Sequence, residues 1–231
     1  MLPPEPGAKL RAALEGAAGA LGLTLEAGQG RQLLDYLGLM ERWNRVYNLS
    51  AIRDREAMLV QHIVDCLAAV GPLRRHTQGR PARLLDVGSG AGLPGVVLAI
   101  AMPELDVSCV DAVGKKVAFI REVAAALGLP NLHALHARVE RIEDAAFDII
   151  SSRAFASLGD FVSLTRRLGH ARTVWLAMKG RPPSEEIEAL PADFRVFHVE
   201  RLGVPGLDAQ RCLVWIGIAD RTAARAAIRA G

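Results

Sequence analysis

The densest chemical signal in the chain is Asp86-Val87-Gly88-Ser89-Gly90-Ala91-Gly92. Leu84-Leu85-Asp86-Val87 reads as an apolar strand carrying one acid, and it runs into alternate glycines followed by Leu93-Pro94-Gly95. Glycines let the backbone turn sharply and approach a ligand closely. Pro94 suits the first turn of a following helix, whose free N–H groups would point at that ligand. Gly90-Ala91-Gly92-Leu93-Pro94-Gly95 also spells the dinucleotide fingerprint Gly-x-Gly-x-x-Gly, which is weak alone. A purely structural loop is the competing reading, although loops this rich in glycine between strand and helix are usually binding sites.

Three features bear on the ligand. Asp86, ending the first strand, suits a ligand with an ammonium group and would repel a pyrophosphate. Asp111 ends the second strand, where an acid can take both ribose hydroxyls; nicotinamide enzymes share that feature. The tail decides: only about 50 residues follow the fifth strand, too few for a dehydrogenase substrate domain, and they read as a hairpin. These features select S-adenosylmethionine, with Asp86, Gly88, Gly90, Gly92 and Asp111 as cofactor-binding candidates. Val139 and Glu140 follow the third strand, where they could reach an adenine. The Arg138–Glu140 stretch reads equally well as a solvated charge pair opening a turn.

Behind these residues the chain divides near residue 80. Ahead of it, Leu33, Tyr36, Leu37, Met40, Trp43 and Tyr47 fall at helical steps, as do Leu59, Ile63, Cys66, Leu67 and Val70. Asp54 is a fair N-cap for that second helix, and Gly71-Pro72 is expected to stop it. Residues 8–22 read as a further short helix. After Thr77-Gln78-Gly79-Arg80-Pro81, a linker in composition, β-type runs appear at 83–87, 106–111, 131–136, 147–151, 173–178, 194–200 and 211–218. Helical patterns at 95–102, 114–127, 157–168 and 184–190 separate most of them, which argues for a parallel sheet covered on both faces. The last two strands share only a loop, so they must pair antiparallel. The expectation is an α/β chain: a helical segment over 1–78, then a Rossmann-like seven-stranded class I methyltransferase domain over 79–231 with a C-terminal antiparallel hairpin.

Composition excludes several classes. No apolar run reaches the roughly 20 residues of a membrane span, and the N-terminus lacks the pattern of a secretory signal. The three cysteines (Cys66, Cys109 and Cys212) are widely spaced, which gives neither a disulfide framework nor a metal site and fits a reducing cytoplasm. A net charge of +3 is compatible with a polyanionic partner without arguing for one. Arg221, Arg225 and Arg229 form a basic helical stripe that reads as a solvated tail or as a phosphate contact. The chain is expected to be a cytoplasmic monomer without a metal.

Several ordered segments resemble one family, the bacterial small-subunit ribosomal RNA guanine-N7 methyltransferases, also called RsmG or glucose-inhibited division protein B. They are Trp43-Asn44-Arg45-Val46-Tyr47-Asn48-Leu49-Ser50-Ala51-Ile52, His62-Ile63-Val64-Asp65-Cys66-Leu67, and the glycine loop through Gly95. Gly114-Lys115-Lys116-Val117-Ala118-Phe119, Ser152-Arg153-Ala154-Phe155-Ala156 and Met178-Lys179-Gly180 follow in the family's order. Departures are Ser50 for the family's usual Thr, Cys66 for its Ser, and Ala112 for its frequent Ser; the last removes a hydroxyl beside Asp111. The resemblance implies cofactor contacts at Gly88, Leu93, Val139, Glu140 and Arg153. It also implies a substrate in 16S rRNA of the small ribosomal subunit, near the decoding centre.

Missing residues constrain the target atom. Methylating cytosine C5 needs a nucleophilic Cys, commonly after Pro, and no cysteine here follows a proline. Exocyclic amines commonly use an Asn/Asp-Pro-Pro-aromatic loop after the fourth strand; that place reads Ser151-Ser152-Arg153-Ala154-Phe155. Guanine N7 needs neither, because its lone pair attacks directly and catalysis reduces largely to in-line positioning. An Arg bidentate to O6 and N7 would occupy that lone pair, so basic side chains are expected on phosphates or O6. Lys179 and Arg138 are the candidates nearest the chemistry, and Asn48, Lys115 and Arg211 are substrate-binding candidates. Each also reads as an ordinary surface group. His62 and Asp65, three apart on one helical face, are expected to form a buried hydrogen-bonded pair. Trp43 and Tyr47 are expected in the core. A small-molecule methyltransferase of the same fold is the first rival, and a binding protein that has lost catalysis is the second.

Overall fold

The computed structural model describes residues 6–143, 146–153, 155 and 157–219. The arginine stripe at 221, 225 and 229 lies outside them. Helix α1 (Pro6–Ala20) is followed by α2 (Ala27–Tyr47), where the Glu26 N–H donates to Gln29 Oε1 at 3.0 Å. Leu33, Tyr36, Leu37 and Met40 recur along one face of α2 and are buried. The helix ends on Asn48 in the left-handed region, with φ 49°. Asp54 caps the next helix as expected, accepting from Ala57 N–H at 2.7 Å. That run comprises α3 (Arg55–Met58), one π-helical turn (Leu59–Val64), α4 (Asp65–Leu67) and α5 (Val70–Thr77).

Gly71-Pro72 does not stop the run. Pro72 falls in the first turn of α5, where a missing N–H costs little. The whole stretch Arg55–Thr77 is long and apolar enough to cross a membrane, and 72% of its most apolar window is buried inside the protein. It serves here as a core helix.

The remaining elements alternate: β1 (Ala82–Val87), α6 (Gly95–Ala101), β2 (Leu105–Asp111), α7 (Gly114–Leu127), β3 (Leu132–His136), β4 (Phe147–Ser152), α8 (Leu158–Thr165), β5 (Gly169–Lys179), α9 (Ser184–Glu188), β6 (Phe194–Leu202) and β7 (Arg211–Ile218). They form one seven-stranded sheet in the order β3-β2-β1-β4-β5-β7-β6. Strands β1 to β5 are parallel, and β7 inserts antiparallel between β5 and β6. This is the class I methyltransferase fold, with the expected terminal hairpin. The strand order reverses between β1 and β4, which opens a crevice at the carboxyl edge where ligands bind in such sheets.

Alternation along β1 sorts the faces. Leu84 joins a core with α1, α2, the Arg55–Thr77 run, α6 and α7, whereas Leu85 and Val87 join a second core with α8. The first core therefore holds side chains from both the N-terminal helices and the sheet.

Candidate active site

At the carboxyl end of β1 the chain turns through Gly88, Gly90 and Gly92, with φ of 66°, 59° and 88°. Side chains rarely tolerate that region. Gly95, opening α6, serves a different need: a Cβ there would collide with Cys109 and press on Asp86. Its absence lets α6 seat directly against β1 and β2. Three contacts hold the loop's shape. Gly90 N–H donates to Asp111 Oδ2 at 2.9 Å, Gly95 N–H donates to Asp86 Oδ2 at 2.9 Å, and the Tyr36 hydroxyl donates to the Ala91 carbonyl at 2.6 Å. Burial pushes the Tyr36 pKa well up, so that hydroxyl keeps its proton.

Asp86 is not where the sequence put it. It is fully buried on the α6 face of β1, accepting from Gly95 N–H and, at 3.2 Å, from the Ser151 hydroxyl of β4. Strand alternation is the reason: Val87 turns toward the crevice, so Asp86 turns away from it. Burial raises the Asp86 pKa to about 7, against the pull of the Gly95 N–H and the Ser151 hydroxyl. Asp86 therefore braces the loop from behind and does not face a ligand ammonium group.

The crevice is a cavity of about 310 Å³. Gly88 and Asp111 form one side, Arg138, Val139 and Glu140 the other, and Phe155 closes it toward β4. Asp111 is nearly buried, with Oδ1 accepting from Val113 N–H at 2.8 Å and Lys116 Nζ 3.7 Å from Oδ2. Of the expected cofactor residues, the structure brings Gly88, Asp111, Val139 and Glu140 to this cavity, together with Arg138. Gly90, Gly92 and Leu93 belong to the loop beside it, and Leu93 is packed into the first core.

Arg153 lies next door, in a cleft of about 10 Å³ that shares Phe155 with the larger cavity and also touches Lys179. Its Nη1 donates to Asp65 Oδ2 and to the Gln61 carbonyl, both at 3.2 Å. Lys179, ending β5, is ion-paired with Glu186 at 2.8 Å and sits 3.4 Å from the Phe155 carbonyl. Arg211 opens β7 and donates through Nε to Asp65 Oδ1 at 2.8 Å. Lys115 is exposed at the start of α7. Asn48 lies in the turn after α2, where its Oδ1 accepts from Arg53.

The sequence matches the family profile of rRNA small subunit methyltransferase G (GidB) over residues 29–214. The chain belongs to the rRNA small subunit methyltransferase G family. It is 58% identical over 212 residues to the ribosomal RNA small subunit methyltransferase G of Acidovorax sp. strain JS42, covering 88% of this chain and 93% of that one. The protein of the same name from Methylibium petroleiphilum is 58% identical over 203 residues, covering 88% and 92%. Among solved structures, the Burkholderia thailandensis 1,6-didemethyltoxoflavin-N1-methyltransferase with bound S-adenosylhomocysteine superposes with a TM-score of 0.56. It is 15% identical over 95% of this chain and 93% of its own, a likeness of fold alone.

The chain is thus a methyltransferase that uses S-adenosylmethionine. The donor set fits that cofactor. Asp111 presents a carboxylate at the end of β2 where a ribose diol can be held, and Val87, Val110, Val139 and Leu164 line an apolar slot suited to a purine.

Sequence reasoning missed three supports. Arg167, after α8, donates to the carbonyls of Val139 and Ile142 and so holds the Val139–Glu140 turn. Tyr36, placed by its spacing on one face of a helix, also holds the loop through its hydroxyl. Asp65 does not pair with His62: the His62 ring meets the Ser50 hydroxyl at 2.7 Å, while Asp65 takes the two arginines. Helical spacing placed His62 and Asp65 on one face but could not show partners 88 and 146 residues away. Tyr47 also departs from expectation. As the last residue of α2 it overhangs the core and is 42% exposed, its ring tilted 38° against that of Trp43 with centroids 4.9 Å apart.

Proposed function

We propose that this chain methylates N7 of a guanine in 16S rRNA, near the decoding centre, using S-adenosylmethionine held at the carboxyl edge of β1, β2 and β3. The observation that carries this reading is the chemistry of the rim beside Phe155. Its cations, Arg153, Arg211 and Lys179, are already paired with Asp65 and Glu186. Cys66, Cys109 and Cys212 are buried, and burial pushes the Cys66 thiol up to about 12. Among the described residues, those lining the cleft between Arg153, Phe155 and Lys179 include neither a cysteine nor a carboxylate. Guanine N7 needs neither, since it carries a lone pair and no proton.

When bound, the cofactor supplies an electrophilic sulfonium methyl. The protein's part is orientation. Asp111 holds the ribose side and the Val139–Glu140 turn the adenine side, and Phe155 lies between that cavity and Lys179. Lys179 and Arg138 reach O6 or flanking phosphates and leave N7 free, while Lys115, Arg211 and Asn48 meet the RNA further out. The helical segment 1–78 braces the methyltransferase domain 79–231 through the loop. The enzyme acts as a cytoplasmic monomer on the small subunit.

Incubation with labelled S-adenosylmethionine and small subunits lacking the modification, followed by borohydride and aniline cleavage, tests this reading. Label together with cleavage at a guanine is expected. Label without cleavage would move the methyl to another atom, and label on small molecules but not on RNA would favour a small-molecule methyltransferase.

A further inference from the structure

One buried carboxylate is left over once the cofactor cavity is accounted for. Asp65 has 1% of its surface exposed and sits immediately after the π-helical turn Leu59–Val64. Such wide turns are frequent at functional sites. Its two oxygens are divided between two arginines from distant strands: Oδ2 takes Arg153 at 3.2 Å and Oδ1 takes Arg211 at 2.8 Å. Arg153 follows the last residue of β4, and Arg211 precedes Cys212, the partner of Lys179 across β5 and β7. Both guanidiniums are therefore gathered at the carboxyl edge, Arg153 in the cleft with Phe155 and Lys179 and Arg211 next to the strand partner of Lys179, and each keeps about a quarter of its side chain exposed.

Two like charges do not converge unaided, and burying a carboxylate is costly unless it is paired and hydrogen-bonded. The three groups balance each other to a net single positive charge, with the anion inside and the cations facing out. A second contact reinforces the arrangement: Arg153 also donates to the Gln61 carbonyl, which lies within the π turn itself. Both ties to Arg153 thus come from the helical segment, not from the sheet that carries it.

We propose that Asp65 is a positioning residue for methyl transfer, holding Arg153 toward the cofactor cavity and Arg211 toward the RNA from the N-terminal helical segment. This rests on the methyltransferase reading above. It assigns that segment a part in the reaction through a charge none of whose atoms reaches the reactants. An amide at position 65 retains a single acceptor oxygen and turns an N–H toward one of the two arginines, which then swings free.

The test is a double-mutant cycle in the full-length enzyme, with active sites counted by S-adenosylmethionine binding. Asp65→Asn is expected to lower kcat/KM for the small subunit by about 10- to 100-fold. Adding Arg211→Gln, which removes the competition for the remaining oxygen, should make the double variant no worse than Arg211→Gln alone. Coupling of this kind is expected only between groups that act as a unit. Additive losses, or a folded Asp65→Asn enzyme with unchanged kcat/KM, would overturn the proposal. If Asp65→Asn does not fold, Arg153→Gln and Arg211→Gln are combined instead: non-additive losses support a shared anchor, and additive losses sink it. Wild-type enzyme runs in the same assay, so an inactive wild type indicts the methyltransferase reading and an uncoupled cycle indicts Asp65.

Discussion

Asp86 gives the sharpest physical prediction. Its carboxyl is fully buried and its pKa is raised from 3.8 to about 7, chiefly by burial. The folded protein therefore binds that proton more tightly than the unfolded chain does. For an acid shifted upward, the associated stability is fully present below about pH 4 and is lost as pH rises through about 7. A shift of about three pH units at 1.36 kcal/mol each corresponds to about 4 kcal/mol, a large part of the roughly 5–15 kcal/mol that holds a typical domain folded. Asp86→Asn removes the titration but keeps an oxygen for Gly95 N–H and an amide that can donate to Ser151. His62 and His76 shift downward, mainly through burial, and so contribute with the opposite sign. They are common to both proteins, and the difference between variant and wild type isolates Asp86. Urea denaturation of the cofactor-free proteins between about pH 4 and pH 8 reads that difference. It should grow in favour of the Asp86→Asn variant with rising pH, toward about 4 kcal/mol. A difference that stays flat, or that grows in favour of wild type, would refute the argument and leave Asp86 an ionised carboxylate stabilised by its donors.

Three further outcomes follow from the site. Tyr36→Phe leaves the Ala91 carbonyl without its buried donor and should cost about 1–3 kcal/mol in denaturation, together with a measurable loss of S-adenosylmethionine affinity by calorimetry. Asp111→Ala removes the acceptor of both Gly90 N–H and Val113 N–H as well as the ribose ligand; cofactor affinity should fall roughly 10- to 100-fold, and an unchanged Kd would remove Asp111 from the site. Lys179→Met leaves Glu186 unpaired at the rim; small-subunit turnover should fall at least about tenfold while calorimetric cofactor affinity stays near wild type, and a matching loss of both would make Lys179 part of the cofactor pocket.

Much of the fold was legible because local patterns coincide with tertiary demands. Strand ends fell within a residue or two for β1, β2, β4 and β7, where apolar runs are continuous. β5 begins four residues earlier than its pattern, since Gly169-His170-Ala171-Arg172 has no apolar alternation and joins the strand through pairing at Phe147. The glycine loop and Asp111 were readable because their chemistry is local to a strand end. The direction of Asp86, the π turn, and the anchoring of Arg153 were not, because each depends on which face or which distant element a side chain meets. Arg167 carried no signal at all: its partners are backbone carbonyls, which no residue type marks.

The apolar character of α6 shows why the N-terminal helices matter to the site. Gly95-Val96-Val97-Leu98-Ala99-Ile100-Ala101 has no polar face, and every one of its residues is buried. A helix that is hydrophobic all round must be covered all round. The sheet covers one side, and α2 with the Arg55–Thr77 run covers the other within the same core. Leu33, Tyr36, Leu37 and Met40 of α2 are fully buried there. At about 1.5–3 kcal/mol for each large apolar side chain, their contribution is comparable with the net stability of a whole domain. The change in pattern near residue 80 therefore separates two kinds of secondary structure that share one core. The same α2 face that covers α6 also presents the Tyr36 hydroxyl to Ala91, so packing and loop geometry are set by one helix. A mutation that loosens the packing of α2 is therefore expected to lower S-adenosylmethionine affinity in calorimetry as well as stability, even where it touches no ligand.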